Sequence, residues 1–163
     1  MNAATPTTDP NLLGASAAPL VIRSEGSSAV VKLLAGGQRR LTALLAAGQK
    51  PGDRVYLVLE HIRGRHDAAV LNVYLGSSAA SAQLLAGSRA LFGLRMASLS
   101  PGQDEKQGAG LNVSIDVTQV LFDVLGTAPL GAEISVSIVP SRPLPEAASL
   151  VVERISLHYM KAD

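Results

Sequence analysis

Residues 60–67 read EHIRGRHD, which places two histidines, a glutamate and an aspartate within eight positions. His, Glu and Asp at short spacing are the residue types that bind a divalent metal or move a proton. For a metal, His61 and His66 would have to converge from opposite sides of a turn. Arg63 and Arg65 stand beside them and raise the cost of holding a cation. A third ligand is also needed, and the only other histidine is His158, far along the chain. The bland alternative is that Gly64, flanked by arginines between two apolar stretches, marks an exposed turn joining two strands. The segment is therefore expected to be a loop, with His61 and His66 as weak metal candidates. A serine nucleophile has no support either, because no Gly-x-Ser-x-Gly elbow occurs.

The elements that would position such groups read mainly as strands. Residues 111–117, LNVSIDV, alternate strictly, with Leu111, Val113, Ile115 and Val117 against Asn112, Ser114 and Asp116. Residues 133–139, EISVSIV, do the same, which is the mark of an antiparallel sheet with one wet face. VYLVLE (55–60), AVLNVYL (69–75) and SLVVERISLHY (149–159) add three more strands. AVVKLL (29–34) and LVIRS (20–24) are weaker. Helical spacing is confined to TQVLFDVLG (118–126), with Thr118 as the expected N-cap, and RRLTALLAAG (39–48). The first of these is expected to cap one end of a barrel. Turn markers separate the rest: Pro51-Gly52, Pro101-Gly102 and the Pro-rich stretch 140–145. The expected fold is all-β, an antiparallel β-sandwich or jelly-roll-like barrel with one or two short helices. Residues 1–18 read as a flexible lead-in, 19–160 as one domain and 161–163 as a tail.

Composition narrows the function classes. Aromatics are 3% of the chain and Trp is absent, which argues against base-stacking platforms and aromatic sugar clefts. A net charge of +1 gives no electrostatic reason to expect nucleic acid or an anionic membrane. With no cysteine, thiolate metal sites, cysteine nucleophiles and disulfides are excluded. No apolar run approaches the ~18–20 residues of a membrane-crossing helix. The start has neither the basic residues nor the apolar stretch of a signal peptide. A cytoplasmic location is therefore expected. The loop 101–110, PGQDEKQGAG, reads as a solvated connection and not as a phosphate cradle, since its Gly-Ala-Gly lacks a strand-to-helix context.

Five segments occur in order along the chain: DRVYLVLEHIRGRHDAAVLNVYLG, LLAGSRALFGLR, GLNVSIDVTQVLFDVLG, AEISVSIVPSRP and LVVERISLHY. The series resembles the C-terminal β-domain that follows the copper domain in polyphenol oxidases and bacterial tyrosinase-like proteins. The Ala86-Gly87-Ser88 turn, the strand leading into a short Leu-rich helix, and Val139-Pro140-x-Arg142 carry the likeness best. The Lys-Phe-Asp-Val signature of plant members is replaced here by the letters of VLNVYL. The family's copper centre needs two metals and six histidines, whereas this chain has three. The resemblance therefore implies a non-catalytic accessory domain with no cofactor of its own, copper being expected only in a partner oxidase.

In that family the β-domain covers the copper domain and can set an apolar side chain at the active-site mouth. Leu84 and Leu85, after the small residues of GSSAASAQ, are the candidates for such a contact. The alternative is that both simply begin the next strand and enter the core. Arg63, Arg65, Arg89 and Arg95 are expected to supplement that contact, since arginine is favoured at interfaces, although each taken singly reads better as an ordinary solubilising residue. A second reading is an independent binding or self-associating β module that uses strand edges.

Overall fold

The computed structural model describes residues 11–48, 52–65, 69–77, 83–98, 110–125, 131–145 and 148–160. Alternation of apolar and polar positions produces β1 (Leu12–Ser16), β2 (Leu20–Val21), β3 (Ser27–Leu33), β4 (Arg54–Arg63), β5 (Val70–Ser77), β6 (Gln83–Ala90), β7 (Leu111–Asp116), β8 (Glu133–Pro140) and β9 (Val151–Met160). These form one 9-stranded sheet in the order β6-β5-β8-β3-β1-β9-β4-β7, with β2 also on β9. Every pairing is antiparallel. The sheet curls until its two outermost strands, β6 and β7, approach each other, so the fold is a nearly closed barrel.

The all-β antiparallel expectation holds, and the helices among the described residues number three: α1 (Ala35–Ala47), α2 (Leu94–Ser98) and α3 (Thr118–Leu125). The strand registers put the start of β4 and β6 and the end of β3, β5, β7 and β9 at one end of the barrel. There α3 follows β7 and packs on β5 and β6, and α1 follows β3 and packs on β1. The other end carries α2, packed on β4 and β7. The sheet begins at Leu12, inside the stretch read as a lead-in, because Leu13 is buried and Gly14 pairs with both Leu33 and Leu157.

The core is aliphatic, as the scarcity of aromatics requires. Leu57, Leu59, Ile155 and Leu157 occupy successive inward rungs of the β4–β9 ladder with at most 1% exposure. Each such side chain contributes about 1.5–3 kcal/mol by leaving water. Helix α1 begins four residues before its sequence pattern does, through Gly36 and Gly37. A Cβ at Gly37 would run into the Leu13 carbonyl, so glycine is what allows α1 to lie directly on β1. Neither helix breaking nor low propensity at that glycine prevents the turn, because tertiary contact overrides them.

Thr118 does not act as the expected N-cap. Its hydroxyl donates to Asp116 Oδ1 at 2.6 Å and accepts the buried Val55 amide at 2.9 Å, extending the β4–β7 ladder by one side-chain rung. The Asp116 carboxylate takes the Thr118 amide at 3.0 Å, and the Val117 carbonyl accepts from Leu121. The cap is thus shifted one residue or more upstream. Among the described residues no helix is long and apolar enough to cross a membrane.

Candidate functional site

The EHIRGRHD segment is not wholly a turn. Strand β4 runs through Arg63, and the chain leaves the sheet only at Gly64. A register shift between Leu59 and Ile62 lets the strand carry Glu60 and His61 as a bulge. His61 adopts a positive φ of 51°, and its amide donates to Asn112 Oδ1 at 2.8 Å, in place of a ladder bond. Gly64 is enclosed: a Cβ there would meet Leu150 Cδ1 at 2.9 Å and Leu94 Cδ2 at 3.0 Å. Its amide donates to Ser98 Oγ at 2.9 Å, which ties α2 to the end of β4. His66 and Asp67 lie outside the described residues. Among those described, no group of three or more His, Cys, Asp or Glu is arranged to hold a metal.

The structure does assemble a polar cluster that the sequence reading missed. Ser156 is fully buried and donates to Glu60 Oε2 at 2.6 Å; the His158 ring nitrogen Nε2 lies 2.9 Å from the same hydroxyl. Arg154 Nε sits 3.5 Å from Glu60 Oε2. Because the serine proton is committed to the carboxylate, the imidazole must be the donor to the hydroxyl. That polarity is the reverse of what a serine nucleophile needs, and Ser156 has no access to solvent. The cluster therefore stitches β9 to β4 on the outer face. Its only sequence signal is Ser156-x-His158, which puts both side chains on one face of a strand; Glu60, 96 positions earlier, is supplied by register.

Leu84 and Leu85 do begin a strand, yet neither enters the core: they are 42% and 51% exposed. Leu84 shares a rung with fully buried Leu75 and faces inward, but β6 is an outermost strand that pairs in the sheet with β5 alone, so Leu84 stays half-exposed although α3 and β7 approach that strand. Leu85 pairs with Tyr74 on the outer face. The register shift between Val73 and Tyr74 places a bulge at Ala86, so the expected turn at 86–88 is instead the middle of β6.

The four arginines stand at the α2 end of the barrel, away from the leucines at the α3 end. Arg63 pairs with Glu153 at 3.2 Å. Arg89 donates to the Ser88 carbonyl at 2.9 Å and reaches across the seam to the Ser114 carbonyl at 3.3 Å, joining β6 to β7 where no ladder does. Arg65 and Arg95 are exposed. Elsewhere, burial raises the Tyr159 hydroxyl above its usual 10.0, and the hydrogen bond to Asp53 and that carboxylate's charge add to the rise. Arg40, 5.7 Å from the ring centroid, opposes it.

Fold and geometry together define a barrel-like β domain whose exposed apolar residues include Leu84 and Leu85 on the outer strand β6, Val30 on β3, Met160 on β9, and Phe92 and Met96 at the α2 end. The chain belongs to the family described as Domain of unknown function (DUF7868), whose profile matches residues 9–160. None of the curated proteins matches it. Among solved structures, recombinantly expressed latent aurone synthase (polyphenol oxidase) aligns over 88% of this chain and 26% of its own, at 10% identity and a TM-score of 0.48. Latent aurone synthase from natural source gives the same values. The form co-crystallized with hexatungstotellurate(VI) aligns over 68% and 20% respectively, at 14% identity and a TM-score of 0.43. The chain thus spans about a quarter of the length of the first of these proteins.

Proposed function

We propose that this chain is a non-catalytic companion domain that covers a tyrosinase-like copper oxidase domain and restrains or helps mature it. The ordered sequence segments supply the class of partner. The observation that carries the reading is the pair Leu84 and Leu85, held half-exposed at the open side of β6 on a rigid ladder with β5. The two leucines point to opposite faces of β6, and either one, fixed in this way, presents apolar surface at little cost in ordering entropy, which is what a plug over a cleft requires. The copper would belong to the partner, since this chain's three histidines are too few for the six-histidine centre. The test is co-expression with a tyrosinase-like copper domain, measuring copper loading and diphenol oxidation with and without this chain. A change in either supports the reading, and identical values in both remove it.

The open edge of β6 also favours a second reading, in which two copies pair edge to edge. Light scattering on the purified chain decides it: a concentration-dependent dimer that Leu85→Asp disperses supports self-association, and a monomer at all concentrations ends it.

A further inference from the structure

The barrel lacks a ladder at one place. Strands β6 and β7 end the sheet order, each paired on one side only, and among the described residues no backbone hydrogen bond joins them. The pairings run the two strands antiparallel across the gap. Alternate residues on each must then turn their backbone groups to a seam with no ladder to join. On β7 the Val117 amide bonds to the Val55 carbonyl, so alternation turns Val113, Ile115 and Val117 toward β4 and Ser114 toward the seam. On β6 the Leu91 amide bonds to the Ala69 carbonyl, which turns Arg89 and Leu91 toward β5 and Ser88 and Ala90 toward the seam.

Two residues of β6 occupy this seam. Arg89 donates to the Ser88 carbonyl at 2.9 Å and to the Ser114 carbonyl at 3.3 Å, one acceptor on each side. Both are edge carbonyls, and among the described residues no carboxylate pairs with Arg89. Gly87 lets the strands come together beside it. A Cβ there would lie 3.0 Å from Ile115 Cγ2 and 3.6 Å from Arg89 Nη1. Ile115 is 1% exposed, so its methyl has little room to retreat. A planar guanidinium with fixed donors can hold two carbonyls at once, which an ammonium on a flexible stem does poorly.

We infer that Arg89 and Gly87 form a clasp that closes the barrel and keeps the edges of β6 and β7 from adding a strand of a second copy. An open strand edge is a template for another chain, and a charged side chain laid on it blocks that pairing. Here the charge also takes up the acceptors that an added strand would use. The clasp guards the α2 half of the seam, and Leu84 and Leu85 lie beyond it at the other end of β6. It acts within one chain and needs no catalytic partner.

The test compares Arg89→Met, Arg89→Lys and Gly87→Val with wild type, by hydrogen exchange read segment by segment and by light scattering over a concentration series. The first keeps the stem and removes the donors, the second keeps the charge without the fork, and the third wedges the strands apart. Arg54→Met, which breaks the Arg54–Asp116 pair between β4 and β7, is the control for loss of a surface cation. Each clasp variant should raise exchange of the β6 amides by about tenfold while β8 and β9 stay as in wild type, because only an outermost strand can peel. Each should also assemble, with rising concentration, beyond the level of wild type and Arg54→Met. Wild-type exchange in β6 of either Arg89 variant overturns the clasp, as does protection lost evenly over the sheet. A loosened β6 with assembly no greater than wild type overturns the guarding role.

Discussion

Replacing Leu84 or Leu85 by Asp separates an exposed edge from a core strand, and the structure sets the size of the effect. Full burial of a leucine is worth about 1.5–3 kcal/mol, and these two retain 42% and 51% exposure. Each substitution should therefore cost about 1 kcal/mol, because the new carboxylate reaches water across the open side of β6. In a chain of this length that lowers Tm by about 2–4 °C. Leu75, on the same rung as Leu84 but with 0% exposure, is the internal standard. Leu75→Asp loses the whole transfer energy and buries an unpaired carboxylate, at about 4 kcal/mol or more, a large share of a typical domain's stability. Urea unfolding followed by circular dichroism reads all three. The reasoning is refuted if either edge variant loses as much as Leu75→Asp, for then the leucines belong to the core and the plug reading loses its foundation.

Other consequences follow from single contacts. Thr118→Val should cost about 1–3 kcal/mol in urea unfolding by stranding the buried Val55 amide, and Thr118→Ser should restore most of it. Gly37→Ala should destabilise by about 1–3 kcal/mol, since α1 must lift from the Leu13 carbonyl. Gly36→Ala, where the space is open, should not destabilise at all. Tyr159 holds its proton more tightly folded than unfolded, so its contribution to stability is whole below its unfolded value of 10.0 and fades as pH rises through the higher folded one. Tyr159→Phe should flatten that alkaline decline in thermal melts, and an unchanged slope would contradict the assignment.

Strands with strict period two were legible at once: the patterns at 111–117 and 133–139 match β7 and β8 to within a residue. The segment QLLAGSRA was not, because an outermost strand paired on one side only has little fully buried surface to impose alternation, and its bulge breaks the period. The same outermost position leaves the two leucines half-exposed. Strand β1 escaped notice because Gly14 and Ala15 leave only Leu12 and Leu13 to signal it. The His61 loop assignment failed for a related reason: Glu60 and His61 look like turn residues, but a bulge lets β4 absorb them and continue to Ile62, which is fully buried. Contacts set by register between distant strands, Glu60 with Ser156 and Lys32 with Glu133, leave no trace in local spacing.

The central claim is that this domain works by covering a catalytic neighbour. It is tested most directly by titrating the purified chain into an active tyrosinase-like copper domain and following diphenol oxidation. Wild-type chain should lower the rate saturably, and the Leu84→Asp, Leu85→Asp double variant should lower it far less at the same concentrations. A rate that stays flat up to saturating wild-type chain, or that falls equally with both proteins, would contradict the account.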